Sequence, residues 1–192
     1  NLAAGATFDP ELLGEAAKVA GQQLKEMGID FALVSCLDML RDPRWGRSEE
    51  CFGEDPYLAS QMAQAVVTGI QSQGVEVTAK HLCAQGETTG GINASAARIG
   101  QRELREIHLP PVKACVEAGV TSFMAAYNEI DGIYCHANRA LLTDLLRGEY
   151  GFEGFVMSDG VAIDQLDAVT GDRCASGALA LNAGVDMGLW DT

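Results

Sequence analysis

The feature that most constrains this chain is an alternation: five times over, a helical stretch leads into a short β-prone run. Asp9-Pro10-Glu11 reads as a helix start, with a capping carboxylate, proline at the first helical position and an acidic first turn. That helix runs to Met27 and stops at Gly28, and "FALVS" (31–35) follows as a strand. Asp55-Pro56 caps a second helix to about Gln73, Gly74 ends it, and "VEVTAK" is the next strand. A helix over 101–118, kinked at Pro110-Pro111, feeds a strand over 121–126, and a helix over 139–149 feeds one over 154–158. Helical stretches near 162–168 and 174–183 lead into "GVDMGL".

Strands joined by helical crossovers pair in parallel, and a parallel sheet has to be covered by those helices. Two architectures satisfy this, an open doubly wound sheet and a barrel. No GxGxxG or P-loop turn follows any strand, which counts against the nucleotide-binding open sheet and leaves the barrel. A closed (β/α)8 barrel takes about 250 residues, whereas these 192 residues offer about five strand-helix units. The expected fold is therefore α/β, an incomplete (β/α)8 TIM-type barrel. At 47% hydrophobic the chain can fill one sizeable core.

Charge narrows the partners. A net charge of −14 with no basic stripe cannot neutralise phosphates, so nucleic acid is not an expected partner. No apolar run approaches the roughly 18 residues of a membrane span. Six cysteines without CxxC spacing argue against zinc and for reduced thiols, hence a cytoplasmic setting; secretion stays open, because a chain starting at Asn1 does not display a leader.

Three of the strands end in chemically capable residues: "VEVTAKH" in Lys80 and His81, "TSFMAAYN" in Tyr127 and Asn128, "GFVMSDG" in Asp159 followed by Gly160. In a parallel barrel those ends share one face, the face that carries active sites. Adjacent strand residues point to opposite sides, so Lys80 and His81 reach one ligand only if the strand has ended or the peptide between them is unusual.

The long pieces "DMLRDPRWGR", "FGEDPYL", "AKH", "RELREIHL", "MAAYNEIDG", "LLTDLLR" and "GFEGFVMSD" run in order through nearly the whole chain. In them the chain resembles the N-terminal barrel of glycoside hydrolase family 3, the β-glucosidase family. The resemblance implies an exo-acting, retaining β-glycoside hydrolase that works through an aspartyl glycosyl-enzyme, takes a β-linked glucoside or a related oligosaccharide or aryl glycoside, and needs no cofactor and no metal. Carried over residue by residue, it makes Asp159 the nucleophile and Arg47, Lys80, His81 and Tyr127 the substrate-binding residues. Arg41 and Arg44 read as structural, His108 as a helix-face residue and His136 as a loop residue.

The resemblance also implies that residues 1–192 form part of an N-terminal catalytic barrel domain. The first strands, an aspartate gripping the far hydroxyls, and a C-terminal α/β domain carrying the acid/base glutamate would lie outside this chain, leaving it inactive alone; Glu87 is the one local substitute. Two departures stand out. Gly160 follows Asp159 where many members place an aromatic sugar platform, and "HLCAQGETTGG" follows Lys80 in place of the "HFPGHG"-like run of the N-acetylglucosaminidase branch. Two competing readings are a Schiff-base lyase built on Lys80 and a non-catalytic sugar-binding or structural piece.

Overall fold

The computed structural model describes residues 1–192. Four strands, β1 (Phe31–Ser35), β2 (Glu76–Leu82), β3 (Ser122–Ala125) and β6 (Phe155–Met157), form one sheet in the order β1-β2-β3-β6. Every pairing is parallel, with Phe31 opposite Glu76, Thr78 opposite Ser122 and Ser122 opposite Phe155. A small antiparallel hairpin, β4 (Glu129–Ile130) with β5 (Ile133–Tyr134), projects beyond the end of β3. The sheet is an unclosed arc of a barrel. The expected fifth strand survives only as a parallel bridge between Met157 and Met187. Asp186 and Met187 both donate to the Val156 carbonyl, and the segment then bends toward the loop after β6 instead of continuing the ladder.

The helix starts follow the local chemistry that the sequence displays. Asp9 accepts the Leu12 N–H ahead of the Pro10–Glu26 helix, and Asp55 accepts the Leu58 N–H ahead of the Pro56–Gln71 helix. These two helices cross closely because Gly69 has no side chain: a Cβ there would lie 2.7 Å from both the Ala17 Cβ and the Gly14 carbonyl oxygen. The expected kink lies at Leu104–His108, a π-helical turn in which the Leu109 N–H reaches back to the Leu104 carbonyl. Pro110 and Pro111 lack the N–H groups that would continue an α ladder, so the chain widens a turn and restarts as the Pro110–Glu117 helix.

The helices cover one face of the sheet, and the core between them holds the fully buried Phe123, Leu82, Met62 and Leu142. Phe123 meets Phe152 edge to face at 4.9 Å. The other face is open: Phe31 and Leu33 are 44% and 45% exposed, and with Phe155, Met157 and Met187 they line an apolar hollow of about 390 Å³. That hollow is the inner side of the barrel arc. Because the strands are parallel, their C-terminal ends all reach one edge of the sheet; His81 is the penultimate residue of β2, and Asp38, Tyr127 and Asp159 follow the ends of β1, β3 and β6.

Candidate active site

Asp159 sits two residues beyond β6, almost buried, with its two carboxylate oxygens in different surroundings. Oδ1 accepts the Gly160 N–H at 2.8 Å, which fixes the side chain. Oδ2 is buried without a hydrogen-bond partner, and the His81 Nε2 lies 3.6 Å away. A buried carboxylate oxygen left free is costly unless something else is meant to meet it.

His81 is held from the other side. Its Nδ1 lies 2.7 Å from Asp38 Oδ2, which also accepts the His81 backbone N–H at 3.3 Å. Arg47 Nη2 approaches His81 Nε2 at 3.2 Å. Guanidinium is a donor only, so Nε2 accepts and the ring proton lies on Nδ1, toward Asp38. Arg47 also makes a two-pronged pair with Glu50, at 2.7 and 2.9 Å, and stacks 5.8 Å over the Trp45 ring. That pair, with further help from the Ser35 hydroxyl, holds Glu50 down to about 2. The pair with Glu50 holds the guanidinium beside His81.

Tyr127 follows β3, and its hydroxyl donates to the Gly160 carbonyl at 2.7 Å. Burial first, and then the Asp159 charge beside it, push the phenol up, so it stays a donor. The Gln85 side chain accepts the Tyr127 N–H and fixes where the ring starts. Lys80 lies half-buried at the end of β2, opposite Ser35 and Met124, where the register breaks between Lys80 and Leu82. The Lys80–His81 and Leu82–Cys83 peptides are cis. Asp159, His81, Arg47 and Tyr127 are therefore gathered at one place, with Lys80 next to His81 on β2.

Glu87 is differently disposed. It pairs with Arg41 at 2.9 Å and lies 3.4 Å from His108 Nε2. His108 and then Arg41 hold its carboxyl below the ordinary range, opposite to what a proton-donating acid needs. Arg41 and Arg44 are occupied by Glu87, Glu103 and Asp42, in keeping with structural roles.

Two further residues join the site without a role having been assigned to them from the sequence. His136, read as a loop residue, is buried with its Nε2 accepting the Asp159 N–H at 3.1 Å; burial lowers it to about 4, so it stays neutral and accepting. Asp38 opens the "DMLRDPRWGR" piece of the long β1 connection, which by itself does not say what the carboxylate faces. Only the approach of β2 to β1 brings it to His81.

A parallel barrel arc with a carboxylate, an imidazole, a guanidinium and a phenol converging at its strand ends has the make-up of a glycosidase barrel, in which hydroxyl-binding groups surround one reactive carboxylate. The chain belongs to glycosyl hydrolase family 3: the description "Glycosyl hydrolase family 3 N terminal domain" matches residues 1–192. It is 39% identical to a β-xylosidase of Formosa agariphila, with 98% of this chain and 28% of that protein aligned. A β-glucosidase of Rhizobium radiobacter is 42% identical over 82% of this chain and 19% of its own length. Among solved structures, the β-glucosidase of Listeria innocua superposes with a TM-score of 0.96 at 33% identity, over 100% of this chain and 28% of that one, and it has been solved with glucose. The chain thus spans between about a fifth and just over a quarter of the length of such relatives.

Proposed function

We propose that this domain supplies the nucleophilic half of an exo-acting, retaining β-glycoside hydrolase whose substrate is a β-linked glucoside or a related oligosaccharide or aryl glycoside. The observation that carries the proposal is the split character of Asp159: one oxygen anchored by the Gly160 N–H, the other buried, unpartnered and facing His81. Asp159 Oδ2 attacks the anomeric carbon, the bond to the leaving oxygen breaks, and an aspartyl glycosyl-enzyme forms. Water then attacks the same carbon and releases Asp159, with net retention. Arg47, His81 and Lys80 bind the sugar hydroxyls, and Tyr127 donates beside the nucleophile. The acid/base is a carboxyl about 5 to 5.5 Å from the nucleophile in such enzymes. With Glu87 held ionised by Arg41 and His108, we assign that role to a glutamate of a second, C-terminal α/β domain. Membership in a hydrolase family leaves the Schiff-base reading of Lys80 without a supporting observation.

The test is covalent labelling of the intact enzyme with a 2-fluoro β-glucoside followed by peptide mass spectrometry. Adduct mass on the peptide holding Asp159, and none in Asp159→Asn, is the expected result. The amide is nearly isosteric but cannot serve as the anionic nucleophile, so turnover should drop by several orders of magnitude with the fold kept. Labelling at Asp38, Asp164 or Asp186, with wild-type turnover in Asp159→Asn, would overturn the assignment.

A further inference from the structure

Where β3 and β6 end, a side chain interrupts their ladder. The strands pair with Ser122 opposite Phe155 and Met124 opposite Met157, and the Phe155 N–H donates to the Thr121 carbonyl at 3.3 Å. Bonds in a parallel ladder are evenly spaced, so continuing this one from Phe155 to Asp159 would bring the Asp159 N–H to the Ala125 carbonyl. It goes instead to His136 Nε2, at 3.1 Å. Because Nε2 accepts there, the ring proton lies on Nδ1, and the ring also bonds to the Ala126 backbone. The imidazole is thus a wedge between the two strand ends.

The wedge is itself held firmly. His136 is 1% exposed and lies in the single 3-10 turn Cys135–Ala137. The Cys135 N–H donates to the Asn128 carbonyl at 3.0 Å, and the Cys135 thiol reaches the Cys83 carbonyl at 3.6 Å, which ties the turn to the ends of both β3 and β2. A second bridge spans the same strand ends one residue further on: Tyr127, next to Ala126, donates its hydroxyl to the carbonyl of Gly160, next to Asp159. Asp159 is therefore bracketed, by the imidazole at its own N–H and by the phenol at the following residue. With Oδ1 tied to the Gly160 N–H as well, the direction of Oδ2 is fixed by a braced backbone.

We propose that His136 is a positioning residue for the nucleophile: it takes the Asp159 N–H out of the ladder and holds the carboxylate where Oδ2 stays free to meet the anomeric carbon. This rests on the hydrolase reading above. The position calls for an acceptor toward Asp159 and a donor toward the Ala126 backbone, and a neutral imidazole supplies one of each on a rigid frame. A carboxylate would accept equally well, but it would set a second negative charge beside Asp159 and favour protonation of the nucleophile. Burial keeps the imidazole neutral and accepting. A nucleophile misplaced by about 1 Å loses on the order of a hundredfold in rate, so a brace at its backbone bears directly on the chemical step.

The test uses the intact enzyme with His136→Phe, which keeps a ring but has no acceptor, and His136→Gln, whose amide oxygen reaches about as far as Nε2. The rate of adduct formation on Asp159 with a 2-fluoro β-glucoside reports attack by the nucleophile, and inhibition by glucose reports sugar binding. His136→Phe should form the adduct about a hundredfold more slowly, while its inhibition constant for glucose moves by less than about threefold; His136→Gln should recover about tenfold of the lost rate. Adduct formation at the wild-type rate in His136→Phe, equal losses of rate and glucose binding, or a His136→Gln no faster than His136→Phe would overturn the proposal. If His136→Phe does not fold, His136→Asn takes its place, with an amide that stops short of the Asp159 N–H, and the same outcomes decide. A wild type that forms no adduct on Asp159 would instead sink the hydrolase reading and, with it, this one.

Discussion

Protonating His136 is expected to cost the folded protein about 3 kcal/mol, and the cost is visible as a pH dependence of stability. The ring is buried and burial lowers it from an ordinary 6.5 to about 4, with Asp191 and the Ala126 backbone opposing that shift. A histidine depressed in the folded state is protonated first in the unfolded chain, so between those two values the unfolded state binds more protons and stability rises with pH. At ~1.4 kcal/mol per pH unit, the span from 6.5 down to about 4 amounts to ~3 kcal/mol, present in full above pH 6.5 and lost as pH falls through 4. Many carboxylates titrate over part of the same window, so the readout is a difference: urea denaturation of the intact enzyme and of His136→Asn from pH 7.5 to 4. The variant should start less stable, because the Asp159 N–H loses its acceptor, and should then lose less stability than wild type as the solution is acidified. The two curves should converge toward pH 4. Parallel curves would refute the argument, since they would mean that His136 carries a proton in the fold about as readily as in the unfolded chain.

Other perturbations follow from the same contacts. Asp38→Asn removes the charged acceptor of both the His81 ring and its backbone N–H; a loss of ~1.5–3 kcal/mol in thermal unfolding and a matching fall in kcat/KM are expected, and an unchanged kcat/KM would detach His81 from the site. Gly69→Val should destabilise by roughly 1–3 kcal/mol, because its side chain would meet Ala17 and the Gly14 backbone; an unchanged melting temperature would mean that the helix pair is looser than its geometry. Glu87→Gln should keep kcat/KM within about threefold of wild type, and a hundredfold loss would move the acid/base onto this chain.

Much of the fold is legible because it depends on local chemistry repeated in order. Asp-Pro at residues 9–10 and 55–56 specifies helix starts through a cap and a fixed φ, and both appear where they stand in the sequence. The alternation then dictates parallel pairing, and parallel pairing alone brings Tyr127 and Asp159 to the same edge. What is less legible is how far a strand runs. "GVDMGL" has strand composition but contributes a single bridge, since Ser158, Val161 and Asp191 bind its flanks and pull it across the end of β6.

The neighbours of the reactive groups are less legible still, and for a related reason. Asp38 and His81 are 43 residues apart and touch only because β1 and β2 pair in one register. His136 and Asp159 meet across 23 residues, which hold the Ala140–Glu149 helix and β6. No periodicity encodes such contacts, so side chains that look like a turn carboxylate and a loop imidazole acquire their roles from the packing. Gly160 shows the converse. As a bare residue after Asp159 it reads as a missing group, whereas in the fold its vacant Cβ direction points at Trp190. Trp190, 30 positions further along, occupies that space, and its neighbour Asp191 is tied to the loop after Asp159. A glycine beside a reactive carboxylate is therefore best read together with whatever side chain fills the space it leaves.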